Sequence, residues 1–343
     1  MELTGKTTTG GWLIGEQVTF PPDHTGGNFS SCYLVSKQEE TAFLKALDIE
    51  RFDISELLWN LSGFQYETEL AGHCASAGLS RVTRMIEAGK IERDPKLPPA
   101  LRNVPFLVFE RAKRGDIRGS VDISKDVTDS WRFFVLHQAA TGLMQLHGES
   151  IAHQDLKPSN LFVFSDKQVK IGDLGRASMK GRQAPHDELA EPGARNYSPF
   201  EQRYGLSAVA ADWVQRRLSS DVFHLGCLAT FVFTNICFPQ YVMSKLASVY
   251  QPANWGAAYT EVVPHIQACV SQSVVEISED FPERFRTELV ALVIDLCDPD
   301  PTIRGRNQRT ATNSPGALWL ERTVSRLNNL EKAARVREIV KHA

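Results

Sequence analysis

The chain has no CxxC pair, no histidines at zinc-finger spacing, no tandem repeat and no low-complexity tract. Its six cysteines, Cys32, Cys74, Cys227, Cys237, Cys269 and Cys297, are scattered through mostly apolar surroundings. That pattern argues against a disulfide framework or a finger-type metal site and predicts buried, reduced thiols. An excess of one charge is missing too. Lys and Arg number 38 against 41 Asp and Glu, a net charge of −3, so neither nucleic acid nor a membrane surface is an expected partner. The N-terminus lacks the cationic start and apolar core of a signal peptide. The longest apolar run, Cys227 to Phe238, is interrupted by Thr and Asn and is too short to span a bilayer. A cytoplasmic location is the expectation. Gly5-Lys6-Thr7 has no earlier glycine or preceding strand to make it a phosphate-binding P-loop; it predicts a disordered or edge-strand start.

At 343 residues, with 42% hydrophobic and 23% charged residues, the composition is that of a soluble globular protein. The length exceeds a usual single core, which predicts two lobes or domains with a cleft between them. The stretch His153-Gln154-Asp155-Leu156-Lys157-Pro158-Ser159-Asn160, followed by Gly172-Asp173-Leu174-Gly175, carries the chemistry. Phosphoryl transfer needs a carboxylate to orient the attacking hydroxyl, a cation on the transferring phosphate and oxygen ligands for a metal. Asp155, Lys157, Asn160 and Asp173 supply these. Between them, Leu161–Phe164 and Gln168–Ile171 flank a turn-like Ser165-Asp166-Lys167, a short hairpin that returns both acids to one cleft. Taken singly, such residues are ordinary turn formers. The ordered set is not.

These two motifs resemble the HRDLKPxN catalytic loop and DFG segment of protein kinases. The resemblance runs from about Leu13 to Arg304, and DLKPSN is the form seen in serine/threonine kinases. It implies an α+β, two-lobed fold: an N-lobe over residues 1–111 with an antiparallel sheet and one helix, a mostly α-helical C-lobe over 112–310, and a C-terminal helical extension over 311–343. The residues fit strands at Trp12–Gly15, Ser31–Val35, Thr41–Leu47, Val82–Ala88 and Phe106–Phe109. Apolar spacing fits helices around Phe64–Cys74, at Trp131–His147 and at Leu318–Val340. The last is expected to pack on the large lobe.

The resemblance also implies ATP and Mg²⁺ (or Mn²⁺) as cofactors and a protein substrate as partner. Thr25-Gly26-Gly27-Asn28-Phe29-Ser30 is similar to the glycine-rich loop, with Gly26, Gly27 and Phe29 over the nucleotide phosphates; Thr25 and Ser30 stand where the family has glycines. Lys45, inside an apolar strand, would span the α and β phosphates and pair with a helix acid. Glu67 is the first choice and Glu69 the second. Phe109 falls at the gatekeeper position, Glu110 and Ala112 would bind adenine through their backbone, and Asp116 is either a ribose contact or a helix cap. Asp155 and Lys157 would be catalytic, and Asn160 and Asp173 would hold the metal. Tyr197-Ser198-Pro199-Phe200-Glu201 resembles the closing YxAPE motif, and its Glu201 would form a buried pair with Arg304 of Asp298–Arg304. Ser219–Gly226 resembles the SDVxSLG helix start, whose Asp, here Asp221, anchors the catalytic loop; a plain N-cap is the alternative. Ala208 to Arg217 reads as an inserted helix.

Departures at Thr25, Ser30, Gln154, Ala194 and Phe200 suit a pseudokinase, a nucleotide-binding scaffold or sensor. A small-molecule kinase would also carry an HxD loop and a later metal Asp, but would lack the two large-lobe landmarks. Lys45, Asp155, Asn160 and Asp173 are all retained, which favours a serine/threonine protein kinase.

Gln154 replaces the Arg that usually precedes the catalytic Asp. That Arg couples loop order to modification, because its charge is unfavourable among other cations until a phosphate neutralises them. Gln154 is neutral, and between Asp173 and Glu201 the chain has no Thr and only Ser178 and Ser198. Transfer activity is therefore expected to be the same before and after phosphatase treatment, and in Ser178→Ala. A large loss on dephosphorylation, restored by rephosphorylation, would contradict this.

Overall fold

Alternation builds the small lobe. Strands β1 (Leu13–Gln17), β2 (Ser30–Lys37) and β3 (Glu40–Leu47) pair antiparallel in succession. Ala42, Leu44 and Ala46 are fully buried on one face of β3, so the period of two puts Phe43 and Lys45 on the other. Helix α1 (Ile54–Ser76) starts at a capping box. The Asp53 carboxylate accepts from the Glu56 N–H at 2.9 Å, while Glu56 accepts from the Asp53 N–H at 3.4 Å. Strand β4 (Met85–Glu92), the single turn α2 (Pro99–Arg102) and β5 (Asn103–Glu110) complete an antiparallel sheet of order β1-β2-β3-β5-β4. The structure, a computed structural model, describes residues 1–19, 29–93, 96–121, 127–206, 213–305 and 320–342.

The N-terminus is ordered at the sheet edge. Leu3 is fully buried, the Gly5 N–H donates to the Ile14 carbonyl, and the Tyr33 hydroxyl donates to the Met1 carbonyl. All five strands differ from expectation by one to four residues at one or both ends, and two of the starts matter here. Residues 82–84 do not join β4. Thr83 donates to the Ile171 carbonyl through its N–H at 2.7 Å and its hydroxyl at 3.0 Å, and Ile171 donates to the Arg81 carbonyl. The β-branched pair Val82-Thr83 is extended, as its composition suggests, but it bridges to Ile171 of the large lobe, while the Val82 N–H bonds back to Leu79. Strand β5 begins at Asn103, three residues before Phe106, because α2 delivers the chain there directly.

In the large lobe, α3 (Asp129–Gly148) is capped by Thr128 and buries Phe133, Leu136, Ala139, Ala140, Leu143 and Leu146. The chain then forms β6 (Ile151–Ala152), the hairpin β7 (Leu161–Ser165) and β8 (Gln168–Ile171), and β9 (Ser178–Met179), which pairs with β6. After the one-turn α4 (Phe200–Arg203) comes α5 (Ser219–Thr234), whose 16 residues are all buried. Helices α6 (Phe238–Lys245) and α8 (Arg286–Leu296) pack against it, α7 (Tyr259–Ile277) packs on those two, and α9 (Leu320–His342) closes the chain. Helix α9 lies along α3, where Glu338 accepts from the Ser130 N–H at 2.9 Å. Part of the expected insertion, residues 208–212, lies outside the described residues; its end, Val214–Leu218, is a π-helical turn that runs into α5. Among the described residues no single helix is long and apolar enough to cross a membrane.

One helix couples the lobes. The front of α1 packs Leu57 and Phe64 against the sheet, whereas Tyr66, Leu70, Ala71 and Cys74 share a core with Leu146, Ile151, Leu174 and Ala177 of the large lobe. At the far end of the large lobe, Arg304 is fully buried and meets Glu201 through two parallel bonds of 2.7 Å. Burial alone would favour the neutral guanidinium, but Glu201 reverses that and holds Arg304 above its ordinary value. Removing one partner strands the other charge in a dry core. Glu201→Gln or Arg304→Met should therefore cost about 3–5 kcal/mol. A double-mutant cycle by urea melts should show strong coupling, and additive effects would dismiss the pairing as an energetic unit.

Candidate active site

Lys45 reaches the cleft because β3 turns it away from the sheet core. Its Nζ lies 2.7 Å and 2.9 Å from the two carboxylate oxygens of Glu67 and 2.9 Å from Asp173 Oδ1. Glu67 falls on the same helical stripe as Phe64, Leu70, Ala71 and Cys74, in the middle of the buried face of α1. Glu69 points elsewhere, to Arg182. Burial would discharge Lys45, but Asp173 and Glu67 outweigh it and raise its pKa. The two acids differ. Burial wins at Glu67, whose pKa rises, whereas at Asp173 Lys45 overcomes burial and holds the carboxyl well below its usual range.

Across the cleft, Asp155 is held from three sides. Its Oδ2 accepts from Lys157 Nζ at 2.7 Å and Asn160 Nδ2 at 3.2 Å, and its Oδ1 accepts from the Ala194 N–H at 2.7 Å. The last bond depends on Gly193. A Cβ there would meet the Gln154 carbonyl at 2.3 Å, closer than side-chain atoms approach a backbone oxygen. Phe29, Lys45, Glu67, Asp155, Lys157 and Asp173 line one cleft.

The backbone of this loop is set by Asp221. Fully buried, it accepts the N–H groups of His153 at 2.8 Å and Gln154 at 2.7 Å, and His147 Nε2 at 2.9 Å. Burial pushes its carboxyl up, but the His147 contact and its neighbours pull it well below the usual range. Those bonds hold Gln154 at φ +62°, a left-handed conformation unusual for any residue but glycine. His153 accepts the Asp155 N–H on Nδ1 at 3.3 Å, so its Nε2 carries the hydrogen that meets the Gly172 carbonyl at 3.0 Å. Asp173 also has positive φ, +62°.

Of the other residues singled out from the sequence, Gly26 and Gly27 lie outside the described residues. Phe29 is 40% exposed, stacks on Phe52, and lies under the Arg176 guanidinium, which also covers Trp59. The Glu110 carboxylate accepts from Lys170 Nζ at 2.6 Å and from the Arg84 N–H at 2.7 Å, tying the inter-lobe segment to β8. The Ala112 carbonyl accepts from Gly115. Asp116 caps a short helical turn and pairs with Arg118, the capping alternative. Asp221 sits inside the first turn of α5 and does not cap it.

Sequence reasoning missed His147, Asp187, His186 and Arg217. Arg217 is 2% exposed, donates to Gln154 Oε1 and lies 2.9 Å from Asp187 Oδ1. Nothing in the local sequence marks that contact, whose members come from three separated segments.

The family model of the protein kinase domain matches residues 26–311. The chain is 31% identical over 180 residues to the inactive serine/threonine-protein kinase PLK5 of Mus musculus, covering 48% of this chain and 28% of that protein. It is 30% identical over 128 residues to the serine/threonine-protein kinase PLK4 of Xenopus laevis, 37% of this chain and 12% of that one. With the eIF-2-alpha kinase GCN2 of Mus musculus it shares 32% over 130 residues, 36% and 8% of the two chains. The matched part thus spans less than a third of each of these relatives.

His186 lines the cleft at 2% exposure, its Nε2 3.0 Å from the Ala177 carbonyl. Burial, with Arg176 nearby, pushes its pKa down from 6.5 to about 4. Between those values the unfolded chain binds this proton and the folded chain does not, so stability falls as pH drops through that window. The melting temperature of His186→Gln should fall less than that of the wild type between pH 6.5 and 4. Equal pH slopes would rule out this contribution.

Proposed function

The chain belongs to the protein kinase family, and on that premise we propose that it transfers the γ-phosphate of ATP to serine or threonine hydroxyls of protein substrates. One observation carries the reading: the Lys45–Glu67–Asp173 cluster faces the Asp155–Lys157 pair across a single cleft, with the buried Asn160 bonded to Asp155. Asp155 is the group that orients the acceptor hydroxyl and takes its proton as the new oxygen–phosphorus bond forms. Lys157, already charge-paired beside it, meets the transferring phosphoryl, and the bond to the β-phosphate oxygen breaks to leave ADP. Lys45 is held by Glu67 where it can contact the remaining phosphates.

The residues also fit a divalent cation. The described residues hold no cluster of three or more His, Cys, Asp or Glu arranged to cage a metal. Mg²⁺ beside a nucleotide needs none, since one or two protein oxygens, the phosphates and retained waters would complete its shell. Asp173 and Asn160 would hold it; the amide nitrogen of Asn160 is turned to Asp155, and its oxygen has one long contact of 3.5 Å from the Ser159 hydroxyl, which the ion would replace. Bound there, Mg²⁺ neutralises phosphate charge. Asp173, the acid whose ionised form is favoured, suits that task.

A second reading, a nucleotide-binding module without transfer, draws on the Ala194 N–H seated on Asp155 Oδ1, where an acceptor hydroxyl would otherwise bond. The two readings separate in one experiment with labelled ATP, Mg²⁺ and generic protein substrates. For the kinase, Asp155→Ala should abolish transfer with nucleotide affinity nearly intact, because that carboxylate acts on the acceptor. Asp173→Ala should lose Mg²⁺-dependent nucleotide binding as well. Lys45→Met should lower transfer strongly in a folded protein. A wild type that binds nucleotide but transfers nothing would establish the second reading.

A further inference from the structure

Gln154 is 1% exposed, and both polar atoms of its side chain are bonded. Its Nε2 donates to the Arg176 carbonyl at 2.8 Å, just beyond Gly175, and its Oε1 accepts from Arg217. The second arm of the Arg217 guanidinium meets Asp187, at 2.9 Å from Oδ1 and 2.7 Å from the backbone carbonyl, and Arg216 donates to that same carbonyl. Asp187 Oδ2 closes its own turn by accepting the Ala184 N–H at 2.7 Å. One guanidinium therefore joins the residue before Asp155, the segment after Asp173, and the entry to α5. Burial and the neighbouring Arg216 push Arg217 down only to about 10, so it is a cation at neutral pH. The planar fork suits this double duty, one edge to an amide and the other to a carboxylate.

Gln154 has to be neutral for this to work. An arginine there would set a second guanidinium against the first in a buried space. The serines of the segment offer no competing anchor, since Ser178 and Ser198 are each 1% exposed.

We infer that Arg217 is a positioning residue for phosphoryl transfer: it clamps the 184–187 turn to the catalytic loop through Asp187 and Gln154, so a carboxylate encoded in the chain does what an added phosphate would otherwise have to do. The inference rests on the kinase reading above. It assigns to the last turn before α5 a role in holding Asp155 and Ala194 in register.

The test uses the full chain and two readouts, steady-state transfer and hydrogen exchange over residues 177–189. Arg217→Gln and Asp187→Asn should each lower kcat by about ten- to a hundredfold, the scale of a small misplacement at a reacting centre, with KM for ATP within about twofold. Both should speed exchange in the segment, and Asp187→Glu should restore most of kcat. Gln154→Arg alone should be as damaging as Arg217→Gln, whereas Gln154→Arg combined with Arg217→Gln keeps one guanidinium beside Asp187 and should recover part of the loss. Wild-type kcat and exchange in both Arg217→Gln and Asp187→Asn would overturn the inference, as would a loosened segment with unchanged kcat. Should Arg217→Gln not fold, Asp187→Asn and the charge relocation decide it. A wild type without transfer would instead remove the kinase reading, while exchange would still show whether the clamp exists.

Discussion

A carboxylate with no access to water sets the geometry on which the site depends. Asp221 holds the backbone of His153 and Gln154, and only because it does is Gln154 kept in a left-handed conformation that costs free energy in any residue with a Cβ. That twist sends the Gln154 side chain back toward Arg176 and Arg217 while the next residue, Asp155, faces the cleft. Hydrogen bonds from His147 and from two peptide groups replace the water that the buried anion has lost. The chemistry is displayed on a loop, but the loop has no freedom of its own.

Pairing also serves other buried charges among the described residues. Lys45 is joined to Glu67 and Asp173, Lys157 to Asp155, and Arg304 to Glu201. Most of these partners are far apart in sequence, 22 and 128 positions for Lys45 and 103 for Arg304. Such contacts are weak arguments for net stability, since paired charges roughly offset their own desolvation. They are strong arguments for uniqueness, because any alternative packing leaves an unpaired ion in an apolar core.

What was legible in the sequence follows from this. The residues that the kinase resemblance singles out lie close together along the chain, from Asp155 to Asn160 and at Asp173, so short motifs made them visible. The position of Lys45 was carried by the alternation of β3, and that of Glu67 by the apolar stripe of α1. The sequence left Glu67 and Glu69 both open; distance to Lys45 separates them. The start of β4 was not legible, because Val82 and Thr83 have strand composition and only their partner, Ile171, reveals which lobe they serve. Nor was the Arg217–Asp187 contact, since an Arg pair at the end of an insertion and an Asp in a polar segment have no period to betray them. Gln154 was seen as a substitution; that it is an acceptor required three dimensions.

Helix α1 belongs to two cores at once, and the salt bridge at its centre inherits that divided membership. Lys45 is fixed to the sheet of the small lobe, while Glu67 lies between Tyr66 and Leu70, residues packed on the large lobe. The distance between their charged atoms, 2.7 Å, is therefore a gauge of how far apart the lobes stand. A displacement of about 1 Å takes such a bond past the range in which hydrogen bonding is strong. A motion that parted the lobes would thus be felt at one atom, Lys45 Nζ, which bonds both Glu67 and Asp173.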